Sequence, residues 1–317
     1  MAICYFDTKS ISRGAGRSAI AAAAYRAGER LRDERTGLLH NYSRREDVSH
    51  KEILLPSHLR GADGAWATDR ANLWNVAESA ERQRNSRVAR EYQVALPVEL
   101  DAEGRLQLAR TFAQELAERH NVAVDLAVHA PKAEGDPRNH HAHLLVTTRE
   151  VGASGLGAKA GLDMHSDERR RRGLPHGFAA VMGEIKALRE RWAVLSNEAF
   201  AAAGLAVRID HRSLRDQGID REPAPHIPFA AFQIERRGQH SPIAHRLRER
   251  YRERVQARLA HSQGMDLETV RRQAREAWLK LREQAASPLE QQRSAAAEQQ
   301  RSAAAIERDA ADQDLSL

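Results

Sequence analysis

Two strand-like runs, VAVDLAVH (residues 122–129) and HAHLLVTT (residues 141–148), flank a loop containing Gly135, Asp136 and Pro137. Aliphatic and β-branched residues on either side of turn formers predict a hairpin. In a strand, positions i and i+2 face the same way, so His141 and His143 share one face while His140 and Ala142 share the other. His129 closes the first run and falls roughly opposite His140 or His141. Cross-strand Cβ atoms lie about 4.5–5.5 Å apart, a spacing that lets three imidazoles converge on one divalent ion. A one-residue slip of register would exchange the role of His140 with those of its neighbours. The plainer alternative is a histidine-rich strand with partly exposed rings; His129 at the end of the neighbouring run favours the metal reading.

The rest of the chain alternates helical and strand patterns. Residues 3–8 (ICYFDT) predict a first strand, followed by a glycine-punctuated turn, KSISRGAGR. Ser18 is placed to cap a helix reaching about Arg32, with Ile20, Ala23, Ala24, Ala27 and Leu31 as its apolar stripe. Further strands are expected at 51–56 and 91–97. Helices are expected at 69–83, after Asp101 (with Leu106, Leu108, Phe112 and Leu116 facing inward) and over 178–203. The glycine- and arginine-rich segment 152–173 predicts a mobile loop, and 207–226 an ordered extension. Beyond Phe232 the texture shifts to Arg, Glu, Gln and Ala, with EQQRSAAA repeated in tandem at 290–297 and 298–305. The expected organisation is a mixed α/β domain over 1–232 and a helical, partly disordered charged tail over 233–317.

Composition narrows the function classes. The 317 residues are 41% hydrophobic and only 5% aromatic, which suits a modest core with much solvated helix. No apolar run approaches the roughly 20 residues of a membrane span, and no signal-peptide pattern opens the chain. A single cysteine, Cys4, excludes an internal disulfide framework and any cysteine-based zinc cluster. A soluble cytoplasmic protein is expected. Lys plus Arg is 50 against 44 acids, and six of the 50 are lysines. Arginine's planar fork suits phosphate, pointing toward a nucleic-acid partner, although a GC-rich genome also favours arginine over lysine.

Tyr25 is the second chemical signal. Its neighbours one turn away are Ala21 and Gly28, both small enough for a bulky phosphate to reach the phenol. Arg13, Arg17, Arg26 and Ser18 supply donors nearby. A tyrosine at the edge of an alanine-rich core helix is the alternative. A tyrosine nucleophile beside a three-histidine metal suggests one reaction, in which the metal polarises a phosphodiester and the phenol attacks in line. One ester replaces another, so the step is reversible.

SRGAGRSAIAAAAYRAGERL, EYQVALP, HAHLLVTTRE and RIDHRSLRDQGIDREP together resemble the MobA/MobL (MobQ-type) conjugative relaxases, over about residues 1–225. These belong to the HUH endonucleases, named for a histidine, a hydrophobic residue and a histidine. The resemblance implies an α+β fold, an antiparallel sheet with a palm-like arrangement and flanking helices, followed here by the helical C-terminal tail. It implies site- and strand-specific nicking of plasmid DNA at an origin of transfer, through a 5′-phosphotyrosine link that is later rejoined. Tyr25 matches the nucleophile, His141 and His143 the histidine pair, and His129 the third metal ligand. Glu91 matches an acidic position that orients a metal histidine or accepts a proton. A divalent ion, Mg²⁺ or Mn²⁺, is the implied cofactor. The implied partners are single-stranded or supercoiled plasmid DNA, auxiliary mobilisation proteins, a coupling protein and a type IV secretion machinery, with no insertion into a membrane. Beside the expected active face, Arg169 and Arg170 of the four-arginine run join Arg13, Arg17 and Arg26 as expected DNA contacts. Asp210, His211 and Arg212 are consistent with the family but stay outside the catalytic set.

GASGLGAK lacks the spacing and the Ser or Thr of a G-x-x-x-x-G-K-[ST] phosphate loop, so unwinding is expected from another protein or from supercoiling. Two other readings remain open. A rolling-circle replication initiator shares the chemistry, but there the tyrosine usually lies downstream of the histidines. A non-catalytic, arginine-rich DNA-binding adaptor would leave the histidines structural.

Overall fold

The computed structural model describes residues 4–132, 136–262, 269 and 271–280. Gly135 of the expected hairpin loop and the tandem repeat at 290–305 lie outside the described residues. The strands are β1 (Phe6–Ser12), β2 (Arg30–Arg32), β3 (Leu39–Asn41), β4 (Val48–Leu54), β5 (Arg87–Ala95), β6 (Val124–His129), β7 (His141–Thr147), β8 (Arg149–Gly152) and β9 (Gly155–Lys159). The α-helices are α1 (Ala19–Ala27), α2 (Ala65–Thr68), α3 (Arg70–Ser79), α4 (Ala102–His120), α5 (Ser166–Arg171), α6 (Gly177–Ala202), α7 (Phe229–Arg236) and α8 (Pro242–Ser262).

Five strands form one sheet in the order β1-β5-β7-β6-β4, every pair antiparallel. The central β7 is buried along almost its whole length because both of its faces are covered. On one face Tyr92, Val94, Leu126, Leu144 and Val146 pack against Phe112 and Leu116 of α4 and Trp192 and Phe200 of α6. On the other, Ala89 and Leu145 meet Ile20, Ala23 and Ala24 of α1 and Leu73, Trp74 and Ala77 of α3. The result is an α+β sandwich of helix, sheet and helix. Each fully buried Leu, Phe or Trp contributes about 1.5–3 kcal/mol. Asp125 of β6 is buried beneath this second layer. There it accepts from Arg70 Nε (2.8 Å) and Trp74 Nε1 (2.9 Å), fastening α3 to the sheet.

The expected strands and helices are present with shifted ends, and two local expectations need correction. The first helix stops at Ala27 rather than near Arg32, because Gly28 adopts the left-handed conformation (φ 61°) that ends it; Arg30–Arg32 then forms β2. Segment 152–173 is not a bare loop. Gly155, at φ 130°, turns a β8–β9 hairpin, Lys159 and Arg149 both pair with the buried Glu81, and α5 follows.

The described residues divide into two compact units, those up to Ser213 and those from Leu214 onward. In the second unit α7 and α8 are joined by a two-pronged Arg248–Glu235 pair at 2.5 and 2.8 Å, Arg254 pairs with Glu222, and residues 271–280 are helical. Among the described residues no helix is long and apolar enough to cross a membrane.

Candidate metal and nucleophile site

The register of the two central strands sets the site. His129 lies directly opposite His141, and Ala127 opposite His143. All three imidazoles therefore project from the face covered by α1. Their centroids are 4.7–5.2 Å apart, and one nitrogen from each lies within 4.8 Å of the others. His140 is not part of the group.

Each ring is oriented by its hydrogen bonds. His143 Nδ1 is 2.6 Å from Glu91 Oε1, and His141 Nδ1 is 3.0 Å from the Asn139 carbonyl, which leaves Nε2 of both rings available. His129 Nε2 donates to the Arg26 carbonyl at 2.7 Å, which puts the lone pair on Nδ1, where Arg45 Nη2 approaches to 3.4 Å and would have to give way to a metal ion. Burial, partly opposed by that bond to Arg26, pushes the His129 pKa down to about 4, with His143, Arg45 and His141 lowering it further. Burial also lowers the His143 pKa, against the pull of Glu91. Neutral imidazoles with oriented lone pairs are what a divalent ion requires, so this donor set fits one.

Glu91 is fully buried on β5 and ringed by cations. Arg26 grips it with Nε and Nη2, both at 2.5 Å, and Lys9 Nζ stands at 3.2 Å. Burial alone would raise its pKa, but bonds from His143 and Arg26 outweigh that and hold it well below the usual carboxylate range. A permanently ionised Glu91 fixes His143 with the proton on Nδ1.

Tyr25 sits on α1, 43% exposed. Alanine on the buried face lets this helix approach the sheet closely, and both of its ends are held. At the N-terminus, Ser18 caps Ala21 N, and the buried Glu78 accepts from Ala19 N at 2.7 Å. At the C-terminus the last carbonyls, which have no partner within the helix, find basic side chains instead. Tyr25 O accepts from Arg45 Nη1 (2.8 Å), Arg26 O from His129 Nε2 (2.7 Å) and Ala27 O from Lys51 Nζ (3.0 Å). One of the three imidazoles is thus bonded to the residue next to the tyrosine. Tyr42 meets the Tyr25 ring edge to face at 5.2 Å, and the Arg45 guanidinium lies over that ring, 4.1 Å from its centroid.

Tyr25 borders two clefts. One, of about 790 Å³, is lined by Lys9, Arg17, Ser18, Arg35, His40 and Arg84 among others; the second, of about 530 Å³, by Tyr42, Arg44, Arg45 and Lys132 among others. Of the five arginines expected to meet DNA, Arg17 is exposed in the larger cleft. Arg13 and Arg26 also line that cleft, and these two and Arg169 are held by acidic or carbonyl partners. Arg13 is paired with the buried Glu78 at 2.8 Å, Arg26 with Glu91, and Arg169 with the Pro175 and Gly161 carbonyls and Glu184. Glu184 belongs to α6, on the sheet face opposite the histidines, which corrects the expected placement of Arg169 beside the active face. Arg170 is exposed and pairs with Asp167 at 3.2 Å. Arg45 and Arg84 were missed by sequence reasoning: both lie in irregular segments where no periodicity marks a side chain's direction. Asp210 and Arg212 pair with each other at 2.6 Å.

Comparison with known proteins adds an independent line. The model of the MobA/MobL family matches residues 17–237, a span that contains Tyr25, Glu91 and all three histidines. Mobilization protein MobL of Acidithiobacillus ferridurans is 38% identical over 285 residues, covering 83% of this chain and 71% of that protein. The probable conjugal transfer protein TraA of Sinorhizobium fredii is 32% identical over 75% of this chain, which spans only 22% of that longer protein. A solved structure described as "Molecular Basis of Vancomycin Resistance Transfer in Staphylococcus aureus" is 28% identical with a TM-score of 0.53, over 67% of this chain and 99% of that one. By the extent of the family match and by its kinship with MobL, the chain belongs to the MobA/MobL family.

Proposed function

We propose that this chain is a plasmid-mobilisation relaxase that nicks one strand of DNA at an origin of transfer and later rejoins it. The observation that carries the reading is the bond from His129 Nε2 to the Arg26 carbonyl, which ties the three-histidine cluster to the helix bearing Tyr25. The family match favours mobilisation over the replication-initiator alternative.

His129, His141 and His143 would hold a divalent ion, Mg²⁺ or Mn²⁺. When bound, that ion supplies Lewis-acid polarisation of a phosphate oxygen. The Tyr25 phenol oxygen attacks phosphorus and gives up its proton, while the P–O3′ bond breaks and the departing O3′ takes up a proton. The products are a 5′-phosphotyrosine ester and a free 3′-hydroxyl, and the reverse step restores the strand. Glu91 holds the His143 tautomer, and Arg17 and Arg84 offer guanidinium groups to the strand's phosphates. The substrate is plasmid DNA, single-stranded or supercoiled. Auxiliary mobilisation proteins, a coupling protein and a type IV secretion machinery are the proposed partners, with action in the cytoplasm before transfer alongside the DNA.

Labelled single-stranded oligonucleotides tiled across the transfer origin of the encoding replicon test this. Wild-type protein with Mn²⁺ should yield a slow-migrating denatured adduct. Mass-spectrometric mapping should place the attachment on Tyr25, and Tyr25→Phe should abolish the adduct while retaining binding. Equal cleavage in the presence of a chelator would remove the metal from the mechanism; attachment to another residue would remove Tyr25.

A further inference from the structure

Taking Tyr25 as the nucleophile, we propose that Arg45 is the residue that positions it. Tyr25 is exposed and lies between small neighbours, so α1 itself packs little against the ring. Arg45 supplies what the helix does not. Its guanidinium lies over the phenol ring at 4.1 Å while Nη1 donates to the Tyr25 carbonyl at 2.8 Å, so one rigid plane holds ring and backbone together.

That plane is itself anchored. Nε and Nη2 donate to the Asp47 carboxylate at 2.8 and 2.5 Å, and the Asp47 carbonyl accepts from Ala130 N at 2.8 Å, one residue beyond His129. Nη2 also lies 3.4 Å from His129 Nδ1. Arg45 is therefore a single planar group in contact with the nucleophile, a strand anchor and an imidazole. A lysine has one charged centre and no plane, and cannot reproduce these contacts.

The test compares wild type with Arg45→Gln, Arg45→Lys and Asp47→Asn, with Tyr25→Phe as control. Three quantities are read: the single-turnover rate of adduct formation on a saturating oligonucleotide carrying the wild-type nick site, oligonucleotide affinity by fluorescence anisotropy, and Mn²⁺ affinity by calorimetry without DNA. Loss of orientation should slow adduct formation by about 10–100-fold in Arg45→Gln. Oligonucleotide affinity should hold, and Mn²⁺ should bind at least as tightly, because a positive charge beside His129 has been removed. Arg45→Lys should restore the charge but not the rate, and Asp47→Asn should fall between.

A wild-type rate in Arg45→Gln or Arg45→Lys would overturn the proposal, as would parallel loss of rate, Mn²⁺ binding and oligonucleotide binding. If Arg45→Gln does not fold, Asp47→Asn decides, and an unchanged rate there overturns the proposal. Adduct formation by Tyr25→Phe would instead overturn the assignment of the nucleophile.

Discussion

The three imidazoles were legible in the sequence because residue type and strand period together limit where they point. The arginines were not, because an arginine's destination depends on acids brought near it by the fold. Arg13 and Arg26 line the cleft beside Tyr25, and the buried Glu78 and Glu91 that hold them are far from them in sequence. The same burial sets a pH dependence. In the folded state His129 titrates at about 4 and His143 also below its ordinary value, whereas in the unfolded chain both titrate near about 6.5. Between those limits the unfolded chain binds more protons, so stability is complete above about pH 6.5 and falls as the pH drops toward 4. Thermal melts of metal-free protein should show this decline, and His129→Gln should flatten it. An equally steep decline in that variant would show that other groups govern acid sensitivity.

Helix α1 shows what a local pattern reveals and what it hides. Its N-cap at Ser18 and its alanine face follow from sequence, but its end does not, since the apolar stripe continues through Leu31. Backbone geometry decides the matter. Gly28 at φ 61° closes the helix, and a Cβ there would stand 3.1 Å from Val48 Cγ2. Gly28→Ala combines a left-handed non-glycine residue with that close approach and should cost about 1–3 kcal/mol. It should also slow adduct formation, because the Tyr25, Arg26 and Ala27 carbonyls held by Arg45, His129 and Lys51 would shift. Melting temperature and single-turnover rate check both effects; an unchanged melting temperature would mean that the turn relaxes without strain. In segment 152–173 the glycines and arginines read as mobile because the partner that orders Lys159 and Arg149 is Glu81, distant in sequence.

Across the sheet, the strand order β1-β5-β7-β6-β4 places segments far apart in sequence side by side, β1 beside β5 and β4 beside β6. The β6–β7 hairpin is local and was readable from its apolar runs. The insertion of β7 between β5 and β6 brings Glu91 to His143, and no local spacing encodes it. Tyr25, Arg45, Glu91 and the three histidines all fall within residues 1–213. A chain ending at Ser213 should therefore bind Mn²⁺ with undiminished affinity by calorimetry, and loss of binding would give residues 214–317 a part in forming the site.

Helix α1 is fastened at its start by Ser18 and Glu78 and at its finish by Arg45, His129 and Lys51. A phenol on so fixed a mount does not travel to meet a phosphodiester. On the proposed reading the polynucleotide must bend to it, and the ease with which a given nucleotide step deforms becomes a form of sequence preference exerted without any contact to a base.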